Sequence, residues 1–478
     1  MIKTRYLGFV VVLCVISLAF MQSLFAADED RDVGVVKREV AAQAEAGDLA
    51  EDVKLRSELR GFRWLTYEEV LSDPDNMDLS FRYAKQQVVQ GNVLGATATL
   101  ERILMLNPDL PRVRLFYAAL LYRLDDLSEA ERELQSLVDQ EMPEDLRLQL
   151  EDYLDKIRLR RRFTRFSVRQ NVGYQMDDNR NSAASSKVNL AGDVPVALTG
   201  TNKKRRDTSL ISSTTISVNH DPGFQAGHEI FASGTYFLQE QTVADSLDLQ
   251  SFAWSLGGIW KGGRVTITPA MDFSHTFVSR EEFLRSQKGG VTVEGTVFNR
   301  LKVNAATSLE RQDYRKTSES GSATERKGPA WKVSTGAQYF VLPNFRVAGT
   351  LSYTDKDAEE EFNGYKTFEM GVNTLVVLKE GHFLLNSVTS TFDFYDEVDT
   401  TVASRYRRDK GLRTRVTYGA PLKAFKLDKL RLDKFLPKMF HDVTVLMTYE
   451  YNRVLSTITN NTYRNNKYQV LVIKNWEF

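Results

Sequence analysis

Phe166-Ser167-Val168-Arg169-Gln170-Asn171-Val172-Gly173-Tyr174 alternates apolar with polar residues, Gln170 being the one miss. A period of two over about ten residues describes a strand with one greasy and one wet face, long enough to cross an outer membrane at the tilt that barrels adopt. The pattern returns downstream. Phe252, Trp254, Leu256 and Trp260 alternate with Ala253, Ser255 and Gly257. Val333, Ala337, Tyr339 and Val341 alternate with Lys332, Ser334, Gly336 and Gln338. Val443, Val445, Met447, Tyr449 and Tyr451 face away from Thr444, Thr448, Glu450 and Asn452. Soluble sandwiches alternate as well, so the connections have to discriminate.

Fourteen strand-like segments are legible, near 163–175, 209–219, 228–240, 247–261, 263–279, 288–298, 301–314, 329–342, 345–354, 363–377, 381–395, 407–418, 440–452 and 463–477. Between alternate pairs the connection is tight: Gly262-Gly263, Asn299-Arg300, Pro343-Asn344 and Glu380-Gly381. The others, such as 176–208, 315–328 and 396–406, are mostly long and polar. Short turns on one rim and long loops on the other are the asymmetry of outer-membrane barrels. Segment 220–227 is short without being tight, and 419–439 is long on the side expected to be short. Pro269 inside a strand predicts a bulge, because it has no N–H for the ladder. The chain ends with Val470, Val472, Trp476 and Phe478 on one face, Lys474 interrupting them. This aromatic ending is similar to the signal read by bacterial barrel-assembly machinery, and a lysine near an interface can snorkel.

With 63 basic and 63 acidic residues in 478, the chain has no charge excess to favour nucleic acid as a partner. Residues 1–26 read as a secretory signal: Lys3 and Arg5, an apolar run from about Tyr6 to Phe20, then Ser23-Leu24-Phe25-Ala26 before acidic residues. The one cysteine, Cys14, lies in that segment behind Leu13, where a lipid-attachment site needs a small residue. The mature chain is therefore expected to have neither disulfide nor thiolate chemistry. No later stretch approaches the roughly eighteen apolar residues of a membrane-spanning helix. Together these readings place the barrel in a bacterial outer membrane.

Before the barrel, over 27–161, the period changes to three or four. Pro74 and Pro108 are 34 residues apart, as are Tyr83 and Tyr117, Ala84 and Ala118, Ala96 and Ala130, and Leu100 and Leu134. Gly91, at a turn between helices, corresponds to Asp125. This is the tetratricopeptide pattern, in which a helix pair buries its apolar face only against its neighbours. Two repeats are clear, with helices near 34–60, 65–72 and 144–160 (Leu146, Leu150, Tyr153, Leu154, Ile157) expected to cap them. Such stacks present a concave, protein-binding groove. Arg82, Gln86, Arg114 and Tyr122 are its candidate contacts, set against simple solvated surface. Arg158, Arg160, Arg161, Arg162 and Arg165 bridge the two regions. They read either as a dipole-stabilised helix end or as contacts to phospholipid headgroups on the periplasmic rim. The expected architecture is a two-domain α+β chain: a signal at 1–26, an all-α tetratricopeptide-like region at 27–161, and a transmembrane antiparallel β-barrel of about fourteen strands at 162–478. An even strand count puts both barrel ends, and the helical domain, on the periplasmic side.

Just after the first strand come Asp177-Asp178-Asn179-Arg180-Asn181. An Asp-x-Asn-x-Asn run, following tetratricopeptide repeats and opening a barrel, resembles the surface lipoprotein assembly modulator (Slam) family of type XI secretion. The resemblance spans the mature chain. It implies an outer-membrane translocator for surface lipoproteins or soluble haem-binding and host-interaction proteins, with Asp177, Asn179 and Asn181 as signature positions. Physically, such residues cap their own backbone turns and hold a loop at the lumen mouth. The loop that follows, 182–208, carries Lys203-Lys204-Arg205-Arg206; folding inward as a plug, binding lipopolysaccharide phosphates and lying in solvent are its open readings.

Catalysis has no sequence support. His220, His228, His275, His382 and His441 are scattered without metal-ligand spacing, and nucleophile-elbow, phosphate-loop and dinucleotide motifs are missing. The chain is expected to be a monomeric, cofactor-free, non-enzymatic translocator. Its partners would be a secreted cargo protein or lipoprotein, the barrel-assembly machinery, outer-membrane lipid and lipopolysaccharide. A polysaccharide export pore with periplasmic repeats, or a porin or adhesin barrel, are the alternatives. Segment 419–439, with Leu422, Phe425, Leu427 and Leu430 among lysines, is expected to form a periplasmic helix or two strand extensions.

Overall fold

In the computed structural model the described residues are 55, 58–59, 62–200, 203–224, 227–298, 300–318, 320–422 and 443–478. The expected signal with Cys14, most of the helix near 34–60, Asn299, His441 and nearly all of 419–439 lie outside them. The structure comprises two compact units that divide between Arg165 and Phe166.

The helical unit contains α1 (Tyr67–Ser72), α2 (Met77–Val89), α3 (Val93–Leu106), α4 (Pro111–Arg123), α5 (Leu127–Gln135) and α6 (Glu144–Arg160). Its starts are chemically marked. Thr66 and Glu69 form a reciprocal capping box, and the side chains of Asn76, Asn92 and Asp126 accept the N–H groups of Leu79, Gly95 and Glu129. The 34-residue period is carried into the backbone: Gly91 and Asp125 both adopt left-handed φ values, +84° and +67°, immediately before those caps. At this step the chain must leave one helix and enter the next, and glycine and aspartate tolerate that conformation best. Ala84, Ala96, Ala118 and Ala130, the small residues repeated in sequence, are completely buried with Leu100 and Leu134. Larger side chains there would push the paired helices apart. Leu146, Leu150, Leu154 and Ile157 of α6 close the same core.

The second unit is a closed fourteen-stranded antiparallel barrel. Its strands are β1 (Thr164–Asp177), β4 (Asp207–His220), β5 (Glu229–Gln241), β6 (Leu249–Gly262), β7 (Val265–Val278), β8 (Glu281–Phe298), β9 (Leu301–Tyr314) and β10 (Gly328–Leu342), followed by β11 (Phe345–Lys356), β12 (Tyr365–Val377), β13 (Phe383–Tyr395), β14 (Arg408–Pro421), β15 (Thr444–Ser456) and β16 (Tyr463–Glu477). β2 (Val188–Ala191) and β3 (Val194–Ala197) form a separate hairpin. Sequence neighbours pair around the ring, and β1 and β16 close it. The apolar faces read from sequence point outward: Phe166, Val172, Tyr174, Phe252, Trp254, Leu256, Trp260, Val333, Tyr339, Met447, Val470 and Val472 are exposed. Their alternates turn inward and are polar, as Asn171, Gln175, Ser251, Thr448, Glu450 and Asn452 show by their burial. An apolar belt around a closed ring leaves no unpaired edge, which is what lets a sheet span hydrocarbon.

Three local expectations are corrected. Pro269 causes no bulge. It pairs with Val291 in register, while on its other side the ladder lapses between Gly257↔Ala270 and Trp260↔Ile267 without a register change. The missing donor is accommodated by skipped pairs, and the irregularities fall elsewhere, at Thr276/Phe277, Thr296/Phe298 and Phe340/Leu342. Strand β8 starts seven residues before the expected position. Its connection to β7 is the two-residue turn Ser279-Arg280, both with φ > 0, as hairpin turns of the primed types require. The early part of β8 was illegible because its polarity is inverted: Leu284 is buried inside the ring and Arg285 faces out. Finally, loop 182–208 is not a free solvent loop. Its β2–β3 hairpin turns at Gly192-Asp193 and is pinned to neighbouring loops. Gly192 and Asp193 donate backbone N–H bonds to Thr401 and Val402 (2.8 and 3.0 Å), and the Ser404 N–H reaches the Asp193 carboxylate. Leu190 exchanges two bonds with the Asn460 side chain.

Candidate functional site

The Asp177–Asn181 run becomes a clasp between the two ends of the barrel sheet. As β1 leaves the membrane it must turn, and the Asp177 carboxylate accepts the Asn179 N–H at 2.9 Å, an Asx turn of the expected kind. Asn179 then uses nearly every polar atom it has. Its backbone N–H also meets the Asn465 side chain. Its Nδ2 donates to the carbonyls of Ala183 (3.0 Å) and Arg464 (3.1 Å), and its Oδ1 accepts the Ala183 N–H. Asp178 accepts both the backbone N–H and the side-chain amide of Asn466, 2.9 and 2.8 Å, and pairs with Lys204 at 3.1 Å. Partial burial pushes the Asp178 carboxyl up, but the Asn466 bonds and the Lys204 ammonium outweigh it and hold the group below the usual carboxylate range. Asn181 holds the far limb of the loop, donating to the Lys203 carbonyl (2.8 Å) and accepting the Arg205 N–H (3.0 Å). Arg180 reaches across to the Leu247 carbonyl of the next outer loop.

Asp177, Asn179 and Asn181 thus meet backbone and loop rather than open space. Sequence reasoning missed Asp178 and its partners Asn465 and Asn466. The signal available was the adjacent Asn465-Asn466 pair near the start of the last strand, where lipid-facing alternation lapses.

The lumen is lined by hydroxyls and paired charges. A cavity of about 500 Å³ runs along its wall. Asp272 accepts the Ser255 hydroxyl at 2.6 Å and faces Lys288 at 3.4 Å, Thr367 bonds Asp393 at 2.6 Å, and Arg413 and Arg415 both pair with Glu450. Towards the turn-side ends of β12–β16 the inner face becomes apolar, with Leu375, Val377, Phe383, Leu385, Leu446, Leu471 and Ile473 all buried. Phe383 lies over its cross-strand partner Gly419, where a Cβ would overlap the ring. The wall therefore grades from charged to apolar along its length.

In the helical unit the four proposed groove residues have different fates. Gln86 is a correction: it is buried, and its amide closes a two-bond clamp on the backbone of Leu65 (2.7 and 2.8 Å), so it cannot meet a ligand. Arg114 pairs with Glu133 and donates to the Pro108 carbonyl. Tyr122 packs edge-on against Tyr153, ring centroids 5.9 Å apart, under the Arg160 guanidinium. Arg82 stacks over Phe62 at 5.3 Å. Among the basic residues at the C-terminal end of α6, Arg158, Arg160 and Arg161 pair with Asp155, Asp125 and Glu131 of their own unit. Arg162 is exposed. At the C-terminus Phe478 is exposed and the Lys474 ammonium lies 5.8 Å from the Trp476 ring centre.

A family model described as the tetratricopeptide repeat matches residues 88–149. No curated protein matches the chain. Among solved structures the chain is similar to a loop-deletion variant of OmpT, an outer-membrane protein of Vibrio cholerae, with 8% identity, 66% of this chain and 100% of that chain covered, and a TM-score of 0.37. It is similar to OccAB3 of Acinetobacter baumannii, with 9% identity, 66% and 99% covered, and a TM-score of 0.33. It also resembles a bacterial polysaccharide outer membrane secretin, with 9% identity, 66% and 98% covered, and a TM-score of 0.33. The barrel's own geometry carries the assignment: a closed ring of fourteen strands with an apolar exterior and a polar interior is a transmembrane channel fold of the bacterial outer membrane.

Proposed function

We propose that this chain is a non-enzymatic outer-membrane translocator. Its helical repeats engage a partner protein, a surface lipoprotein or a soluble haem-binding or host-interaction factor, and the barrel gives that partner passage to the cell surface. The observation carrying this reading is the tether. α6 ends at Arg160 and β1 begins at Thr164, and the four Cα–Cα steps between them can span only about 14 Å. A fold of the peptide-binding class is thereby leashed to one rim of a channel, so whatever it binds is kept within its reach. A porin needs no such leash. The Slam resemblance, resting on Asp177, Asn179 and Asn181, supports the same reading.

No nucleotide is available in the periplasm, so net movement would draw on cargo folding or capture outside. Several lumen charges are already held by neighbours on the wall, Asp272 by Ser255 and Lys288, Asp393 by Thr367, and Glu450 by Arg413 and Arg415. Deleting residues 27–160 while keeping the secretory segment and barrel should leave an inserted, heat-modifiable barrel and abolish surface display of a co-encoded partner. Unchanged display in cells carrying that deletion would defeat the assignment. Steady single-channel conductance of the full protein in planar bilayers would favour a porin instead.

A further inference from the structure

Six successive inward positions of β11 face one track. Arg346, Ala348 and Thr350 line a cavity of about 310 Å³ towards the turn side, and Ser352, Thr354 and Lys356 line the cavity of about 500 Å³ above it. The two cavities share Glu369, Ser387, Thr389 and Arg415, so they meet end to end. At about 3.4 Å per residue, the steps from Arg346 to Lys356 cover roughly 34 Å of wall, close to the depth of a bilayer core. The floor is recessed beside Thr350, whose partners on both neighbouring strands, Gly336 and Gly371, have no side chain. Neither has room to gain one: a Cβ at 336 would overlap the Asn304 side chain, and one at 371 the Thr350 hydroxyl.

Size and chemistry select the occupant. Cavities of these volumes hold a drug-sized molecule or a stretch of extended chain, whereas a folded domain of about 100 residues has a radius of gyration of about 13 Å. The hydroxyls of Thr350, Ser352, Thr354, Ser387 and Thr389 can rotate to donate or to accept. Along β11 they recur every two residues, about 6.8 Å, the period at which an extended main chain repeats its N–H and C=O groups. Charges beside them are held by the wall: Arg346 by Gln338 and Asn373, Lys356 by the Arg326 carbonyl, and Arg415 by Glu450. Among the described residues lining the lower cavity none is aromatic, which leaves a sugar ring no face to stack on. β11 also stands far round the ring from the β1–β16 closure. There Gly173 closely approaches Val470 and Leu471, while Asn179 and Asp178 clasp Arg464 and Asn466. We infer that a polypeptide crosses this barrel as an extended chain inside the lumen, lying along β11 with its main chain on these hydroxyls, while the seam stays shut. The inference rests on the translocation reading and specifies its route.

The test uses the full chain carrying Cys14→Ser, purified in detergent, with one cysteine introduced at a time. Cys14 is the one cysteine of the sequence, so each variant has a single thiol. Thr350→Cys and Ser387→Cys lie on the track, Leu351→Cys on the exposed outer face beside it, and Leu471→Cys at the seam. Three maleimides are compared: the small reagent alone, the reagent on a flexible Gly-Ser peptide of about twenty residues, and the reagent on a folded domain of about 100 residues. The peptide should label positions 350 and 387 about tenfold faster than 471, which is buried and reacts only through local opening. It should leave 351 untouched, and the folded domain should label none of the four. Excess unlabelled peptide should slow the small reagent at 350, and maltoheptaose should not. Thr389→Cys replaces Ser387→Cys if the latter fails to give a heat-modifiable barrel. A thiol at 387 closed to the small reagent, or equal labelling by peptide and folded domain, overturns the track. Peptide labelling at 351 or 471 as fast as at 387 overturns the route. Protection by maltoheptaose, or none by the peptide, overturns a polypeptide as the occupant. Labelling needs no cargo. Normal labelling with unchanged display after deletion of 27–160 counts against translocation alone, and slow labelling with abolished display counts against the route alone.

Discussion

The side-chain amide of Asn179 donates to the backbone carbonyl of Arg464 at 3.1 Å, joining residues 285 positions apart where the first and last strands of the ring meet. The same side chain fixes Ala183 in both directions, so one buried asparagine holds the loop and the closing strand together. Replacing it by alanine leaves the buried N–H and carbonyl of Ala183 and the half-buried carbonyl of Arg464 without this partner, at roughly 1–3 kcal/mol for each buried group left unpaired. Asn179→Ala should therefore lower the temperature at which the barrel loses heat-modifiable migration. It should also expose loop 182–208 to protease before the strands unfold. Parent-like protease resistance would show that the clasp contributes nothing.

Closure also depends on a missing side chain. A Cβ on Gly173 would overlap the Val470 carbonyl oxygen and the Leu471 side chain, so β1 approaches β16 only because position 173 is glycine. Gly289, in contrast, has open space where its Cβ would be. Gly173→Ala is expected to reduce assembled barrel in the outer membrane severalfold, and Gly289→Ala to leave it unchanged, when both are compared by unheated gel migration. Similar yields for the two would mean that the strands can separate without cost.

These two sites mark how far the sequence could be read. The barrel was legible because lipid and lumen impose a period of two on every strand, and the repeats because Ala84, Ala96, Ala118 and Ala130 recur at one spacing. Legibility failed where those constraints lapse. β8 rises beyond the apolar belt, so apolar Leu284 takes an inward position and basic Arg285 an outward one. Pro269 was absorbed by skipped pairs, a choice between two solutions that its missing N–H does not make. Gln86 looked like a surface amide because its helix position is polar, and only the chain crossing at Leu65 reveals its use. Asn465 and Asn466 acquired meaning only when the far end of the chain was brought beside Asp178.

Gln86 separates a structural from a ligand-binding role. Its amide satisfies both the N–H and the carbonyl of Leu65, and Gln86→Leu would bury those groups unpaired, at a cost on the order of 2 kcal/mol. Hydrogen exchange on the full protein should show faster exchange at Leu65 and in α1 and α2, with α4 and α5 unchanged. If protection is unaltered while partner binding falls, the residue belongs to the groove after all.

The outer loops should loosen in acid. Asp178 and Asp193 both have carboxyls held below the usual value, Asp193 by the Ser404 hydroxyl and backbone N–H. A depressed native pKa contributes stability that is fully present above the unfolded value, about 3.9, and is lost as pH falls through the lower native value. Protease sensitivity of loop 182–208 should therefore be flat from pH 7 to about 5 and rise below about 4. Asp178→Asn, which keeps the size but removes the charge, should flatten much of that acid response. A transition centred near pH 6 would point to a histidine instead.

The strongest physical commitment is that the exposed apolar belt faces lipid, and it can be weighed on a single strand pair. Leu256, near the middle of β6, is exposed on the outer wall, whereas Thr292 of β8 points into the ring. An arginine at 256 would be placed in hydrocarbon, at roughly 2–4 kcal/mol for a basic residue at the bilayer midplane. An arginine at 292 would enter a lumen whose wall is polar and already carries paired charges, at little cost. Urea unfolding in phospholipid vesicles should separate the two, with Leu256→Arg destabilised by about that amount and Thr292→Arg within about 1 kcal/mol of the parent. The reverse ranking would mean that the two faces have been exchanged. The protein would then be a sheet wrapped around an apolar core, with no place in a membrane.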